Sequence, residues 1–417
     1  MTQSNQDNPA VHALLHQISH TKSALNKLFY QGVLALLQEN LDAAETHFLD
    51  VLSEDRTHAE ARTNLGVIAL KKNKPQQAIM YFSEALGFDE THENARNNLA
   101  ATFIHHNRFE NARTHYQILL KTYPDNAEYH YNAGVAEMAL GHLDEARTHF
   151  KAILKQNPNH GASLTNLASI ASRLQQTTDA IHYLKRAKAA NPNDTSSAFM
   201  LDALTEKTPM REASNDYTRN LFDNYALHYE KHLCDTLDYK LPQYIAKYLH
   251  QHMPDISPHT LDLGCGTGLT GSVLREVSQQ LTGVDLSSKM LFEAEQKDIY
   301  DQLVHLDALQ FLSQNNQQFS LITAADVLPY LGELDTLFKL TKSALTSSGR
   351  FIFSTEISHS TDWILQKTAR FAHHPDYIQA LATKYHFKII HQASCSVRKQ
   401  KNQDLPTVLY VLTKLNR

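Results

Sequence analysis

Hydrophobic and polar positions follow two different rules along the chain. Up to about residue 194, apolar residues recur at helical spacing in blocks, and the blocks themselves repeat. A small residue stands at Gly32, Gly66, Ala100, Gly134 and Ala168, in steps of 34 residues. Twelve positions later come Ala44, Ala78, Ala112, Ala146 and Ala180, then Phe48, Phe82, Tyr116, Phe150 and Leu184. Proline closes three of the five blocks, at Pro124, Pro158 and Pro192, while Arg56 and Glu90 take its place in the first two. Each block predicts a pair of helices. The small residues let the helices approach closely, the large side chain fills the space between them, and proline ends the second helix. One pair cannot cover its own apolar face, so neighbours must stack. Pro9–Ser23, with Val11, Leu14, Leu15 and Ile18, predicts one cap, and Ser196–Leu204 the other.

From about Ser214 the pattern changes. Asn215–Cys234 predicts a helix, with Leu221, Phe222, Tyr225, Tyr229 and Leu233 as its large side chains, and Leu241–His250 a second. Strands then alternate with helices: strands at Thr260–Leu263, Leu281–Asp285, Leu303–Asp307, Phe319–Ala325 and Arg350–Thr355, helices at Leu269–Gln279, Ser288–Lys297 and Glu333–Leu345. Such alternation predicts a parallel sheet with helices on both faces. Behind a helix at Asp376–Lys384, Phe387–His391 and Thr407–Thr413 predict a closing hairpin that adds an antiparallel strand.

The 34-residue period resembles tetratricopeptide repeats (TPR), five in register over residues 25–194. The resemblance places the sixth position of each repeat on the inner helix, facing a concave groove. Asn64, Asn98, Asn132 and Asn166 hold that position in repeats two to five, and Tyr30 in the first. A ladder of carboxamides, each with a donor and an acceptor, suits the backbone of an extended protein or peptide partner. The alternative is a structural ladder, bonded to neighbouring backbone or solvating the face.

The chemistry lies in LDLGCGTGLTG, Leu261 to Gly271, with Asp285 about 20 residues on. Glycines after a buried strand let the chain turn sharply and expose bare main chain to a ligand. Asp262, Gly264, Cys265, Gly266 and Gly268 together resemble the first motif of class I S-adenosylmethionine-dependent methyltransferases. The resemblance covers residues 214–417 and implies a Rossmann-like domain with a seven-stranded mixed sheet. It implies that Asp285, with Leu286, takes the ribose hydroxyls, and that Asp307, with Ala308, lies by the adenine. Cys265 is then a small packing residue. A pocket edged by Asp262, Asp285 and Asp307 suits a sulfonium cation better than a pyrophosphate; Asp262 also has a loop-fixing reading. Phe222-Asp223-Asn224-Tyr225-Ala226 and Tyr229-Glu230 are similar to the lead-in of small-molecule methyltransferases, including biotin-pathway enzymes acting on carrier-bound malonyl groups. That lead-in lids the cofactor, with Tyr229 first and Tyr225 second as candidates beside the sulfonium; a core role is the alternative for Tyr225. Asp326 and Tyr330, after the fourth strand, are the candidates for acceptor contact or proton removal. Glu356 and Arg370-Phe371-Ala372-His373 read either as acceptor-site lining or as polar loop.

Composition narrows the partners. A net charge of −5 offers no basic footprint, so no nucleic acid is expected. The 25 histidines form no metal-ligand spacing, so no metal is expected. No run approaches the roughly 20 apolar residues of a membrane span. The three cysteines lie far apart, and the first residues have neither a basic start nor a long apolar run; both point to a cytoplasmic protein. The expected organisation is an N-terminal helix or cap at 1–24, five repeats at 25–194, a capping helix and linker at 195–213, and the methyltransferase domain at 214–417. Three functions remain open: a methyltransferase whose array recruits a protein substrate or partner; an enzyme for a small-molecule or carrier-bound carboxylate, with the array as anchor; and a scaffold that senses the cofactor without turnover. A dehydrogenase is a further alternative for the glycine loop.

Overall fold

The structure is a computed structural model that describes residues 9–205, 211–223, 226–231, 233–234, 237–253, 256–360, 362–400 and 403–415. The chain forms two compact units, one up to Ile170 and one from Ala171 onward.

In the first unit, Pro9–His20 precedes four helix pairs: Ala24–Leu37 with Leu41–Glu54, Ala59–Lys71 with Pro75–Phe88, Glu93–His105 with Phe109–Thr122, and Ala127–Ala139 with Leu143–Gln156. The columns meet as their chemistry requires. Phe48, Phe82 and Phe150 are fully buried. A Cβ at Gly32 would lie 2.8 Å from the Phe48 ring, and one at Gly134 would lie 2.9 Å from Phe150. Glycine is therefore the residue that lets a phenyl ring fill the gap. In the first two repeats, which lack the proline, a side-chain turn ends the second helix. Asp55 Oδ1 accepts from the Thr57 amide and Asp89 Oδ1 from the Thr91 amide, each at 2.9 Å. Several of the scattered histidines cap helices: His58 and His92 accept through Nδ1 from the amides of Ala61 and Ala95, each at 3.2 Å. One further column escaped the sequence pattern. Glu39, Asn73, Asn107, Gly141 and Gln175, again 34 apart, have φ values of 60, 56, 56, 84 and 60°. Each turns the chain between two helices in the left-handed conformation.

The second unit begins with the helices Thr177–Ala190 and Thr195–Thr205 and continues into the α/β domain. The expected helix at Asn215–Cys234 is instead two helices, Asn215–Asp223 and Ala226–Lys231, followed by Leu241–His252. The strands are β1 (Ser257–Leu263), β2 (Ser278–Asp285), β3 (Gln302–His305), β4 (Phe319–Ala324), β5 (Leu345–Ile357), β6 (Trp363–Leu365), β7 (Phe371–His373), β8 (Phe387–Gln400) and β9 (Gln403–Lys414). β3-β2-β1-β4-β5 run parallel; β9 pairs antiparallel with β5 on one edge and β8 on the other. Among the described residues the sheet has nine strands, two beyond the seven expected. The additional two are short: β7 joins the end of β5 at Glu356 and Ile357, and β6 pairs with β7. Period-two alternation sorts the core onto two faces. Phe351, Phe353, Val408, Tyr410 and Leu412 pack on one face, and Ile352, Leu409 and Val411 on the other. This leaves the C-terminal ends of β1 to β4 as the place where ligands meet such sheets.

Candidate functional site

The glycine loop follows β1 directly. Gly264, Gly266 and Gly268 have φ values of 61, 53 and 87°, a region other L-residues enter at a cost. A Cβ at Gly264 would also meet Val327 at 2.5 Å, whereas one at Gly266 would meet only Tyr229, at 3.9 Å. The Gly266 backbone is thus open on one side. Gly268 caps the helix Leu269–Arg275.

Asp285 ends β2 and faces this loop. Its Oδ2 accepts from the Gly266 amide and its Oδ1 from the Ser287 amide, each at 2.8 Å. Burial pushes its carboxyl above the ordinary range, and the two amides oppose the rise. Asp307 lies just beyond β3 rather than in it, and its Oδ1 accepts from the Gln310 amide at 2.9 Å, capping the helix Ala308–Ser313. Both carboxylates line one cavity. Nine of the expected residues line it: Tyr229, Gly264, Gly266, Asp285, Leu286, Asp307, Ala308, Asp326 and Tyr330. Among the described lining residues none is Lys, Arg or His.

Three expected cofactor residues, Asp262, Cys265 and Gly268, do not line the cavity, and Tyr225 lies outside the described residues. Asp262 is buried behind the loop, where Oδ1 accepts from the Thr323 hydroxyl and Oδ2 from the Tyr300 hydroxyl, each at 2.8 Å. Burial raises its pKa to about 6 against the pull of those two bonds. The reason is strand alternation. Leu261 and Leu263 point to one face of β1, so Asp262 points to the other. The Cys265 thiol is buried, with its pKa pushed well up by burial and the nearby carboxylates, and it acts as packing. Tyr300 was not anticipated. Its ring crowds Gly268 and Gly283, whose Cβ atoms would lie 3.2 and 2.9 Å from it, and its hydroxyl sits against Gly271. The signal was available as two glycines, Gly271 and Gly283, that no turn requires.

The lead-in carries two latches. Asp223 Oδ1 accepts from the Ser287 hydroxyl at 2.5 Å, just past Asp285. Glu230 Oε1 accepts from the Thr267 hydroxyl and from Lys297 Nζ, each at 2.5 Å. Phe222 packs edge-on to Tyr330 and Tyr229, at centroid distances of 5.2 and 6.1 Å.

Asp326 has φ 59°, and its amide donates to Ser354 Oγ at 3.1 Å. Behind it lies Arg370, a buried residue for which the sequence offers either acceptor-site lining or a polar loop. Arg370 donates to Glu356 Oε1 at 2.6 Å, to the Tyr330 hydroxyl at 2.8 Å and to Asp326 Oδ1 at 2.5 Å. Burial alone would favour a neutral guanidine; Asp326, Tyr330 and Glu356 outweigh it and hold the charge firmly. His373, also buried, points Nε2 at the carbonyls of Leu331 and Gly332, at 2.8 and 3.1 Å, and burial lowers its pKa to about 4. It is a neutral clamp on the segment after Tyr330.

In the first unit, Asn64, Asn98, Asn132 and Asn166 are all half-buried. Asn132 reaches the Tyr116 hydroxyl. The side chains of Asn64, Asn98 and Asn166 have no hydrogen-bond partner among the described residues.

Residues 261–351 match a family of methyltransferase domains. Residues 29–93, 98–158 and 137–204 match tetratricopeptide repeat families. The chain carries a methyltransferase domain and tetratricopeptide repeats. The ubiquinone biosynthesis O-methyltransferase of Coxiella burnetii is 28% identical over 112 residues, covering 26% of this chain and 48% of that protein. The biotin biosynthesis bifunctional protein BioHC of Saccharophagus degradans is 28% identical over 140 residues, 32% of this chain and 24% of that protein. The chain thus spans at most about half the length of these curated relatives. Among solved structures, YrrB, described as a TPR protein with an unusual peptide-binding site, superposes with a TM-score of 0.41 at 20% identity, covering 48% of this chain and 100% of its own. Among the described residues, no helix is long and apolar enough to cross a membrane, and no group of three His, Cys, Asp or Glu is placed to hold a metal.

Proposed function

We propose that the protein transfers a methyl group from S-adenosylmethionine to a nucleophile bound in the cavity, and that the repeat array recruits a protein that is, or presents, the acceptor. The observation that carries this reading is the lining of the cavity. Bare glycine backbone and two strand-end carboxylates, Asp285 and Asp307, meet there with no cationic side chain among the described lining residues. Carboxylates at the strand ends suit the hydroxyls and base of a nucleoside, and a lining with carboxylates and no cationic side chain suits a sulfonium better than a pyrophosphate. When bound, the cofactor supplies an electrophilic methyl group. The residues of the chain bind and orient: Asp285 takes the ribose hydroxyls, Asp307 the base, and Tyr229 sits beside the sulfonium. Asp326 and Tyr330, aimed by Arg370, position the acceptor, and the Asp326 carboxylate accepts its proton. Little acid–base chemistry is required, because a thioether leaves unaided and closure of the site against water does much of the work.

A second reading keeps the catalysis and makes the acceptor a small molecule with a hydroxyl. It is favoured by the relatives named as ubiquinone biosynthesis O-methyltransferases and by the aromatic wall of Phe222 and Tyr330.

Calorimetry with S-adenosylhomocysteine and NAD tests the cofactor. Binding of the first and not the second supports the proposal, and tight NAD binding alone would sink it. Transfer of tritiated methyl to a cell extract, followed by size fractionation, then tells a protein acceptor from a metabolite. Binding without any transfer would favour the cofactor-sensing scaffold.

A further inference from the structure

The cavity has two walls of different origin. The cofactor side comes from the ends of β1, β2 and β3. Facing it, Glu212, Ala213, Asn215 and Thr218 line the cavity, and they come from the stretch before the α/β core. This stretch is anchored through main chain and through an ion pair of Arg211 with Glu333 at 3.0 Å. The Ala213 amide donates to the Tyr330 carbonyl at 3.0 Å, and Glu212 bridges to Leu331. The Arg211 carbonyl accepts from the amides of Gly332 and Glu333, each at 2.8 Å. The crossing is tight: a Cβ at Gly332 would lie 2.7 Å from the Arg211 carbonyl oxygen and 2.8 Å from Trp363.

Beside the crossing sits an apolar plug. Phe199, on the helix Thr195–Thr205, is fully buried. It packs on Tyr217 at 4.8 Å and on Phe371 at 6.0 Å, and Trp363 lies on Phe371 at 5.5 Å. The helix expected only to cap the repeats therefore also spends its largest side chain on the strand that follows Arg370.

We propose that Arg211–Thr218 is the acceptor-selecting wall of the cavity and that the helix Thr195–Thr205 holds it in place. The inference rests on reading the cavity as a methyl-transfer site. A segment fixed by its backbone and by a plug outside the cavity keeps its place whatever side chains it turns inward. Glu212, Asn215 and Thr218 supply a carboxylate, an amide and a hydroxyl beside the aromatic pair Phe222 and Tyr330, with Phe222 one helical turn on from Thr218. An acceptor seated against this wall meets both its polar groups and its aromatic faces.

Trp363 is the one tryptophan of the chain, so its fluorescence reports on the plug directly. The test uses the full chain and three variants: Gly332→Ala, Phe199→Ala, and the pair Glu212→Gln with Thr218→Val. The readouts are Trp363 emission, S-adenosylhomocysteine affinity by calorimetry, and the set of tritium-labelled products from one metabolite extract. Gly332→Ala and Phe199→Ala are expected to red-shift the emission and to lower total labelling by about tenfold or more. Cofactor-product affinity should stay within about twofold. The Glu212/Thr218 pair is expected to leave emission and affinity alone and to change the ratio of labelled products. Unchanged emission in both single variants overturns the proposal. So does an affinity that falls in step with emission, which would make the segment part of the cofactor cradle or of folding. An unchanged product ratio in the paired variant overturns the selecting role. A wild-type chain that binds no S-adenosylhomocysteine fails the methyl-transfer reading itself, a separate result.

Discussion

The repeat array and the nucleotide loop both depend on glycine, for opposite reasons. Gly32, Gly66 and Gly134 sit in helices and are glycine because a phenylalanine ring occupies the space of a Cβ. Gly264, Gly266 and Gly268 are glycine because the main chain is left-handed there. In the array the requirement belongs to a pair of residues, and the pair recurs with the period. In the loop it belongs to the backbone of one place, and nothing elsewhere in the chain substitutes for it. Repetition spreads stability over equivalent contacts, whereas the site concentrates its demands.

The largest effect that would break this contrast lies in the array. Phe48→Ala, Phe82→Ala and Phe150→Ala should each cost about 3–5 kcal/mol by chemical denaturation. The three costs should be alike, because the three rings are equally buried; costs differing several-fold would mean that the repeats are not energetically equivalent. Next comes a pH effect confined to the sheet unit. The pKa of Asp262 is raised from 3.8 to about 6, so its contribution to stability is complete below the ordinary carboxylate range and is lost as pH rises through about 6. The loss is on the order of 3 kcal/mol at most. Asp285 is shifted in the same direction, so Asp262→Asn should flatten only part of the fall in melting temperature between about pH 4 and 6. A fall as steep as in the wild type would assign all of it elsewhere.

Smaller effects sharpen the contrast. Gly66→Ala should cost about 1–3 kcal/mol by overpacking, and Phe82→Leu in the same chain should recover part of it. Gly264→Ala should not be rescued by Val327→Ala, although Val327 is the side chain it meets, because the cost of about 1–2 kcal/mol for a left-handed residue remains. Asp285→Ala should weaken S-adenosylhomocysteine binding by about 1–3 kcal/mol in calorimetry, through loss of a charge-assisted pair of bonds. The smallest effect concerns the carboxamide ladder. Asn64→Ala, Asn98→Ala and Asn166→Ala should each change array stability by less than about 0.5 kcal/mol, since their side chains bond to no described residue. Losses above that would favour a structural ladder over a partner clasp.

The array was legible because its columns share residue types at a fixed period. The left-handed column through Glu39, Asn73, Asn107, Gly141 and Gln175 was not, since its members share a backbone conformation and no chemistry. The sheet strands that carry long apolar runs were equally legible. β6 and β7 were missed because each is three residues long and polar residues part them. Their order comes from β5 running on to Ile357, which gives β7 a partner at Glu356 and Ile357. In the site, the residues that spacing puts at strand ends line the cavity, because position along the strand decides what faces it. Asp262 lies behind the loop, where its loop-fixing reading puts it, because there the face of the strand decides. Arg370 reads equally as acceptor lining or as loop in sequence, because the three groups that make its charge tenable lie 14, 40 and 44 residues away. Of the wall at Arg211–Thr218 only the helix from Asn215 gave a pattern, because backbone bonds at Arg211 and Ala213 to the segment after Tyr330 leave no mark in side-chain type.

β9 also bears on how the protein is made. It lies between β5 and β8 and is buried over Thr407–Leu412, so β8 has no link to β5 and one side of the sheet stays open until residues 403–414 have left the ribosome. The helix pairs of the array need only near neighbours in sequence and can assemble as they emerge. Synthesis therefore passes through a stage in which a finished array trails an unfinished sheet. At that stage the apolar flanks of β5 and β8 are the surfaces for a chaperone to cover.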